Sequence, residues 1–144
     1  FDMGVEPFLI ASSVNVIVGQ RLVRKICEHC RVSVDLKGQE LKDQLEHFPK
    51  ELIKKHFGKK SSLRVYIGKG CDICHGTGYQ GRIGIYEVME MTDEIRELIV
   101  NRATSDDISE AAMKSGMLTM IEDGMEKVKQ GVTTIEEVIR VTKE

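Results

Sequence analysis

Cys27-Glu28-His29-Cys30 and Cys71-Asp72-Ile73-Cys74, with residues 31 to 70 between them, hold all four cysteines of the chain. A Cys-x-x-Cys knuckle turns two thiolates towards one point, and two knuckles brought together supply the four sulfurs of a tetrahedral site. Zn²⁺ suits that donor set. Four thiolates leave no open position for water or substrate, so the ion is read as a structural staple. Cys27, Cys30, Cys71 and Cys74 are therefore the candidate metal ligands. His29 and His75 stand beside them with no vacant position to fill and are read as supporting or solvent-facing groups. A disulfide framework is disfavoured, because a chain of 144 residues does not need one and shows no secretory signal pattern. A redox Cys-x-x-Cys is normally single and sits at a βα junction, whereas both knuckles here lie beside strand-like sequence.

Outward from the knuckles, Val14 to Ile26 carries Val14, Val16, Ile17, Val18, Leu22, Val23 and Ile26, a nearly continuous β-branched run that fits a strand buried on both faces. Arg82 to Met89 reads as a second strand, with Ile83 and Ile85 on one face and Tyr86 and Val88 on the other. One strand runs into the first knuckle and the other leaves the second. An antiparallel pair with the cysteine module inserted at its hairpin end follows. Within the insert, Val32 to Leu45 is weakly patterned, Pro49 opens a helix-like segment with Leu52, Ile53 and Phe57 that Gly58 stops, and Leu63 to Ile67 alternates as a strand.

A hydrophobic content of 41% supports a core, and 31% charged residues accompany it with no apolar run of membrane-spanning length. Tryptophan is absent, which removes the commonest base-stacking platform. The net charge of −2 conceals a division: residues 1–86 hold fourteen Lys and Arg against nine Asp and Glu, and residues 87–144 hold seven against fourteen. Such asymmetry suggests two modules with different partners. Lys50, Lys54, Lys55, Lys59, Lys60, Arg64 and Lys69 form a basic run opposed by Glu51 alone. It is either a solvated face or a contact for an acidic protein, anionic headgroups or nucleic acid.

Four helices are expected over residues 92–144. Thr92 or Asp93 caps one bearing Ile95, Leu98 and Ile99, and Thr104 or Ser105 caps one bearing Ile108, Ala111 and Ala112. Thr119 with Glu122 opens a third that carries Met125 and Val128 and ends at Gly131, and Thr134 with Glu137 opens a fourth with Val138, Ile139 and Val141. Met113, Met117, Met120 and Met125 fall at helical spacing and read as core rather than as an adaptable binding face. At the other end, Pro7 suits a first helical turn, and Phe8 to Ala11 read as a short buried helix ending at Ser12-Ser13. The abrupt apolar opening without an initiator Met reads as a fragment whose core lies upstream.

Met3-Gly4-Val5-Glu6-Pro7-Phe8-Leu9-Ile10-Ala11-Ser12-Ser13 followed by Gly19-Gln20-Arg21-Leu22-Val23-Arg24-Lys25-Ile26-Cys27 closely resembles the C-terminal part of the ATPases that drive type II secretion and type IV pilus assembly. Gly70-Cys71-Asp72-Ile73-Cys74-His75-Gly76-Thr77-Gly78-Tyr79 and Gly81-Arg82-Ile83-Gly84-Ile85-Tyr86-Glu87 resemble that family's tetracysteine region, as Gly116 to Gly124 and Thr133 to Val138 resemble its closing segments. The resemblance implies an α+β fold: residues 1–26 as the edge of a RecA-like P-loop ATPase core, 27–81 as a tetracysteine zinc insert, 82–90 as the return strand and 91–144 as a helical subdomain. It also implies a cytoplasmic homo-hexamer, peripheral to the inner membrane, that hydrolyses ATP with Mg²⁺ and pushes on an inner-membrane platform protein. Arg82, after the second knuckle, is the position that would lie near bound nucleotide, where a guanidinium pairs with phosphate oxygens. An ordinary salt bridge is the alternative.

No G-x-x-x-x-G-K-[ST] loop occurs in the chain, so no catalytic residue is assigned and hydrolysis by this stretch alone is not expected. Two readings from another class stay open. Cys71 to Gly78 matches one C-x-x-C-x-G-x-G repeat of the DnaJ chaperone zinc domain, although Arg31-Val32-Ser33 breaks that pattern after Cys30. A nucleic-acid-binding zinc ribbon would use the basic insert, but the acidic net charge makes nucleic acid an unlikely partner.

Overall fold

The computed structural model describes residues 4–46, 48, 52–53 and 62–143. In chain order the elements are α1 (Pro7–Ser13), β1 (Val16–Ile26), β2 (Arg31–Lys37), α2 (Gly38–Leu45), β3 (Ser62–Gly68), a 3-10 turn (Asp72–Cys74), β4 (Tyr79–Glu90), α3 (Asp93–Val100), α4 (Ser105–Lys114), α5 (Met120–Lys129) and α6 (Ile135–Thr142). The fold is mixed α+β. Among the described residues no helix is long and apolar enough to cross a membrane. β1 pairs with β4 and β2 with β3, each in a two-stranded sheet. Backbone bonds from Cys27 N–H to the Gly78 carbonyl at one end and from Met91 N–H to the Asn15 carbonyl at the other make the β1–β4 pair antiparallel.

The chain forms two compact units, 1–19 with 86–119 and 20–85 with 120–144. The four helices of residues 91–144 fall two in each.

The first unit contains α1, α3 and α4. Its core is Ala11, Met91, Ile95, Ile99, Ala111 and Ala112, flanked by Ile10, Val14, Met89, Leu98, Ile108 and Met117. Both long helices start at the expected caps. The Thr92 side chain accepts from the Ile95 amide, and Thr104 and Asp107 form a reciprocal capping box. Arg96 donates to the Ala11 and Val14 carbonyls, which satisfies acceptors left free at the end of α1. Pro7 opens α1 as expected, but only Pro7 and Ala11 are buried, and Phe8 and Leu9 are exposed. A seven-residue helix with one contact face covers one residue in about four.

The second unit holds the cysteines. β2 and β3 are antiparallel in a register that places Val34 opposite Val65 and Leu36 opposite Leu63. Leu36, Leu63 and Val65 pack with Leu45, Phe48, Met125, Val128, Ile135 and Val138. α5 and α6 touch at Gly124, where an added Cβ would meet a Val138 methyl at 2.8 Å. The Thr134 side chain caps α6 by accepting from the Glu137 amide. A smaller cluster joins Val23 of β1, Ile85 of β4 and Val141 of α6.

Three expectations are corrected. β1 is not buried on both faces: Val16, Ile17, Val18 and Leu22 are each about half exposed, because β1 has one strand partner among the described residues. Residues 32–45 are structured, as β2 and α2, and the alternation Val32, Val34, Leu36 is the period-two signal for it. Met113 is exposed whereas Met125 is fully buried. Pro49, Phe57 and Gly58 of the helix-like segment lie outside the described residues, as do Lys50, Lys54, Lys55, Lys59 and Lys60.

Candidate metal centre

β1 delivers Cys27 directly, since Ile26 is its last residue. Cys27 N–H then bonds the Gly78 carbonyl at 2.9 Å, and Cys30 N–H turns back to the Cys27 carbonyl at 3.3 Å. The second knuckle is a 3-10 turn with Cys71 at its N-cap and Cys74 at its end. Gly76 N–H closes it on the Cys71 carbonyl at 2.9 Å, and His75 adopts the left-handed region at φ 52°. Lys69 N–H bonds the Cys30 carbonyl at 3.1 Å and so holds one knuckle beside the other.

The four sulfurs lie within 4.8 Å of one another. Cys27–Cys71 and Cys30–Cys74 are separated by 3.9 Å and Cys71–Cys74 by 3.7 Å. A tetrahedron with metal–sulfur bonds of about 2.3 Å has edges of about 3.8 Å, while a disulfide needs about 2.05 Å. All four cysteines are free, and their spacing is that of a coordination site. Among the described residues no histidine or carboxylate joins the cluster; His29 and His75 are exposed.

The sulfurs are not equivalent. Burial would raise the Cys74 thiol, but the amides of Cys71 and Gly78 donate to its Sγ at 3.1 and 3.3 Å, and with the neighbouring thiols they bring it down to about 6. Burial pushes the Cys30 thiol up to about 11, with hydrogen bonding among the cysteines adding to the rise. Backbone donors aimed at Sγ stabilise a thiolate, which is the form that binds metal.

Arg82 is exposed on β4, outside the cluster, and pairs with no carboxylate among the described residues. A grouping that the sequence reading missed is built on Glu137, which it treated only as a capping partner. This carboxylate is buried, and Arg24 and Arg140 both reach it. The sequence carries only a partial signal for it: Glu137 stands among the apolar Ile135, Val138 and Val141, where a buried carboxylate needs cationic partners, but the partners themselves come from the fold.

The site is thus a four-thiol centre carried by two knuckles of an α+β chain. Comparison with known proteins supplies the family. Type II/IV secretion system protein is the family that matches, over residues 1–140, and the chain belongs to it. It is 42% identical over 141 residues to the type IV pilus assembly ATPase PilB of Thermus thermophilus, covering 98% of this chain and 15% of that protein. It is 39% identical over 143 residues to the type II secretion system protein HxcR of Pseudomonas aeruginosa, covering 99% and 24%. Against the type II secretion system ATPase E of Vibrio cholerae it is 38% identical over 143 residues, covering 99% and 26%. The chain thus spans about a quarter or less of the length of these relatives.

Proposed function

We propose that this chain is the C-terminal part of a hexameric ATPase that couples ATP binding and hydrolysis to type IV pilus assembly or type II secretion. What carries the reading is near-complete coverage of the chain by relatives named as ATPases of these machines, together with their much greater length. Residues 1–26 and 82–90 belong to the edge of the RecA-like core, and residues 27–81 form the zinc module between them. Residues 91–144 supply helices rather than chemistry. ATP and Mg²⁺ are held by parts of the longer protein that contain the phosphate-binding loop, and Arg82 extends towards the nucleotide from β4. The motor works at the cytoplasmic face of the inner membrane against a platform protein there. The basic run from Lys50 to Lys69 is the surface proposed for that contact or for anionic headgroups.

Cys27, Cys30, Cys71 and Cys74 hold one structural Zn²⁺. The metal supplies a rigid cross-link and no open coordination site. The chain's own part is to preorganise the sulfurs through the amides on Cys74 and the turn at Cys71.

Elemental analysis tests the metal: one zinc per chain, lost in Cys71→Ser, is expected, and undiminished metal in that variant rules the ligand set out. Hydrolysis tests the motor. The 144-residue chain is expected to be inactive and the longer protein active, with Arg82→Ala lowering its turnover. Turnover by the purified chain alone, or binding of unfolded polypeptide or nucleic acid by it without nucleotide, would replace this reading with another.

A further inference from the structure

The loop between α5 and α6, residues 131–134, is bonded to residues on both sides of the first cysteine knuckle and to Tyr79, five positions after the second. Ile26, just before Cys27, donates its amide to the Val132 carbonyl at 2.8 Å. Arg31, just after Cys30, donates Nη1 to the Gly131 carbonyl at 3.1 Å. Thr133 donates its hydroxyl to the Arg24 carbonyl at 2.8 Å. Beyond the second knuckle, the Tyr79 and Thr134 hydroxyls lie 3.0 Å apart. Tyr79 follows Gly78, whose amide points at Cys74 Sγ and whose carbonyl accepts from Cys27. The Arg24 guanidinium lies 4.1 Å above the Tyr79 ring and also reaches Glu137 of α6 at 2.7 Å. Three of the four segments that enter or leave the knuckles are therefore tied to the start of α6.

We infer that the metal centre and helix α6 are one thermodynamic unit, in which metal binding orders α6 and Tyr79 and Glu137 are positioning residues for the cysteine ligands. Neither residue belongs to the sulfur cluster. Tyr79 holds the Gly78 peptide in place from outside, and Glu137 holds Arg24 over Tyr79. A site that must be assembled by folding transmits its binding free energy to whatever fixes its geometry, and the coupling is reciprocal. α6 thus carries a readout of metal occupancy at the C-terminal end of the chain. This rests on the metal reading proposed above.

The test is amide hydrogen exchange on the chain with zinc bound and after chelation. Exchange at residues 135–142 is expected to accelerate at least about tenfold on stripping, while α3 and α4, in the other unit, stay unchanged. Zinc release to a chelator is expected to be about tenfold faster in Tyr79→Phe and Glu137→Gln, the size usual for groups that orient ligands without touching the metal. Glu110→Gln, which removes an exposed ion pair with Lys114, should release zinc as the parent does. Tyr79→Phe removes one hydroxyl and serves alone if Glu137→Gln does not fold. If zinc binds through the four cysteines but α6 exchange and Tyr79→Phe release are both unmoved, the coupling is wrong and the metal reading stands. Equal acceleration in α3 and α4 overturns it too, as global loosening. If the parent chain binds no zinc, the metal reading itself fails.

Discussion

Glu137 on α6 accepts hydrogen bonds from both the backbone amide and the guanidinium of Arg24 on β1, 113 residues earlier, at 2.9 and 2.7 Å. Arg140, one helical turn on, donates Nε and Nη2 to the same two oxygens at 3.0 and 2.8 Å. Four donors on one carboxylate offset the cost of burying it. Replacing Glu137 by Ala is expected to cost about 3 kcal/mol, the low end for breaking a buried pair, because both guanidinia keep about half their surface in water. Urea unfolding of the variant measures it. A loss below about 1 kcal/mol would mean that the pair behaves as a surface ion pair.

The same carboxylate should give the second unit an acid-sensitive stability. Burial alone would raise its pKa, but the hydrogen bonds from Arg140 and Arg24 outweigh that and hold it at about 2, against 4.5 unperturbed. A carboxylate depressed in the folded state stabilises fully above its unfolded pKa. That stabilisation, on the order of 3 kcal/mol, disappears as pH falls from about 4.5 towards 2. Parent and Glu137→Gln are compared at each pH with the metal removed from both, which keeps their different zinc retention out of the comparison. The stability gap should be constant above pH 5 and shrink below it, and a gap independent of pH contradicts the assignment.

Gly68 and Gly78 set the approach of β3 to the second knuckle. A Cβ on Gly68 would lie 2.0 Å from the Gly78 oxygen, and one on Gly78 would lie 2.5 Å from the Gly68 oxygen. Backbone on both sides cannot retract, and Gly78 also has φ +76°. Gly78→Ala is expected to cost at least about 3 kcal/mol and to lower zinc retention. Gly38 provides the contrast: its φ is +56° with nothing within 4 Å, so Gly38→Ala should cost only about 1 kcal/mol. Thermal unfolding with zinc supplied ranks the two, and equal losses would remove the steric argument.

Three helix caps should differ in worth although each is a threonine. Thr92→Ala and Thr104→Ala remove a capping acceptor and are expected to cost about 1 kcal/mol each. Thr134 is buried, caps α6 and also bonds the Tyr79 hydroxyl, so its replacement leaves a second polar group unpaired. Thr134→Ala should cost about 2 kcal/mol or more. Chemical denaturation that finds all three alike would place Thr134 among ordinary caps.

Local chemistry was legible in the chain itself. Two Cys-x-x-Cys knuckles announce a four-sulfur site because three-residue spacing is enough to aim two thiolates, whatever lies between the knuckles. Thr92, Thr104 and Thr134 announce their helices because a cap acts on amides within one turn. The antiparallel pairing of β1 with β4 was legible too, because each strand adjoins a knuckle, but which faces the chain covers was not. The run Val16-Ile17-Val18 looks the same whether a neighbour covers it or not, and only the two-stranded pairing with β4 decides that it stands about half exposed. Likewise Glu137 could be read as a capping residue, yet its burial and its two arginines are set by how α6 meets β1. That meeting joins residues more than a hundred positions apart, and no local propensity encodes it. Nor does spacing alone bring the sulfurs of Cys27 and Cys71 to 3.9 Å, since the backbone approach of Gly68 to Gly78 and the bonds from residues 131–134 do that after the chain has folded.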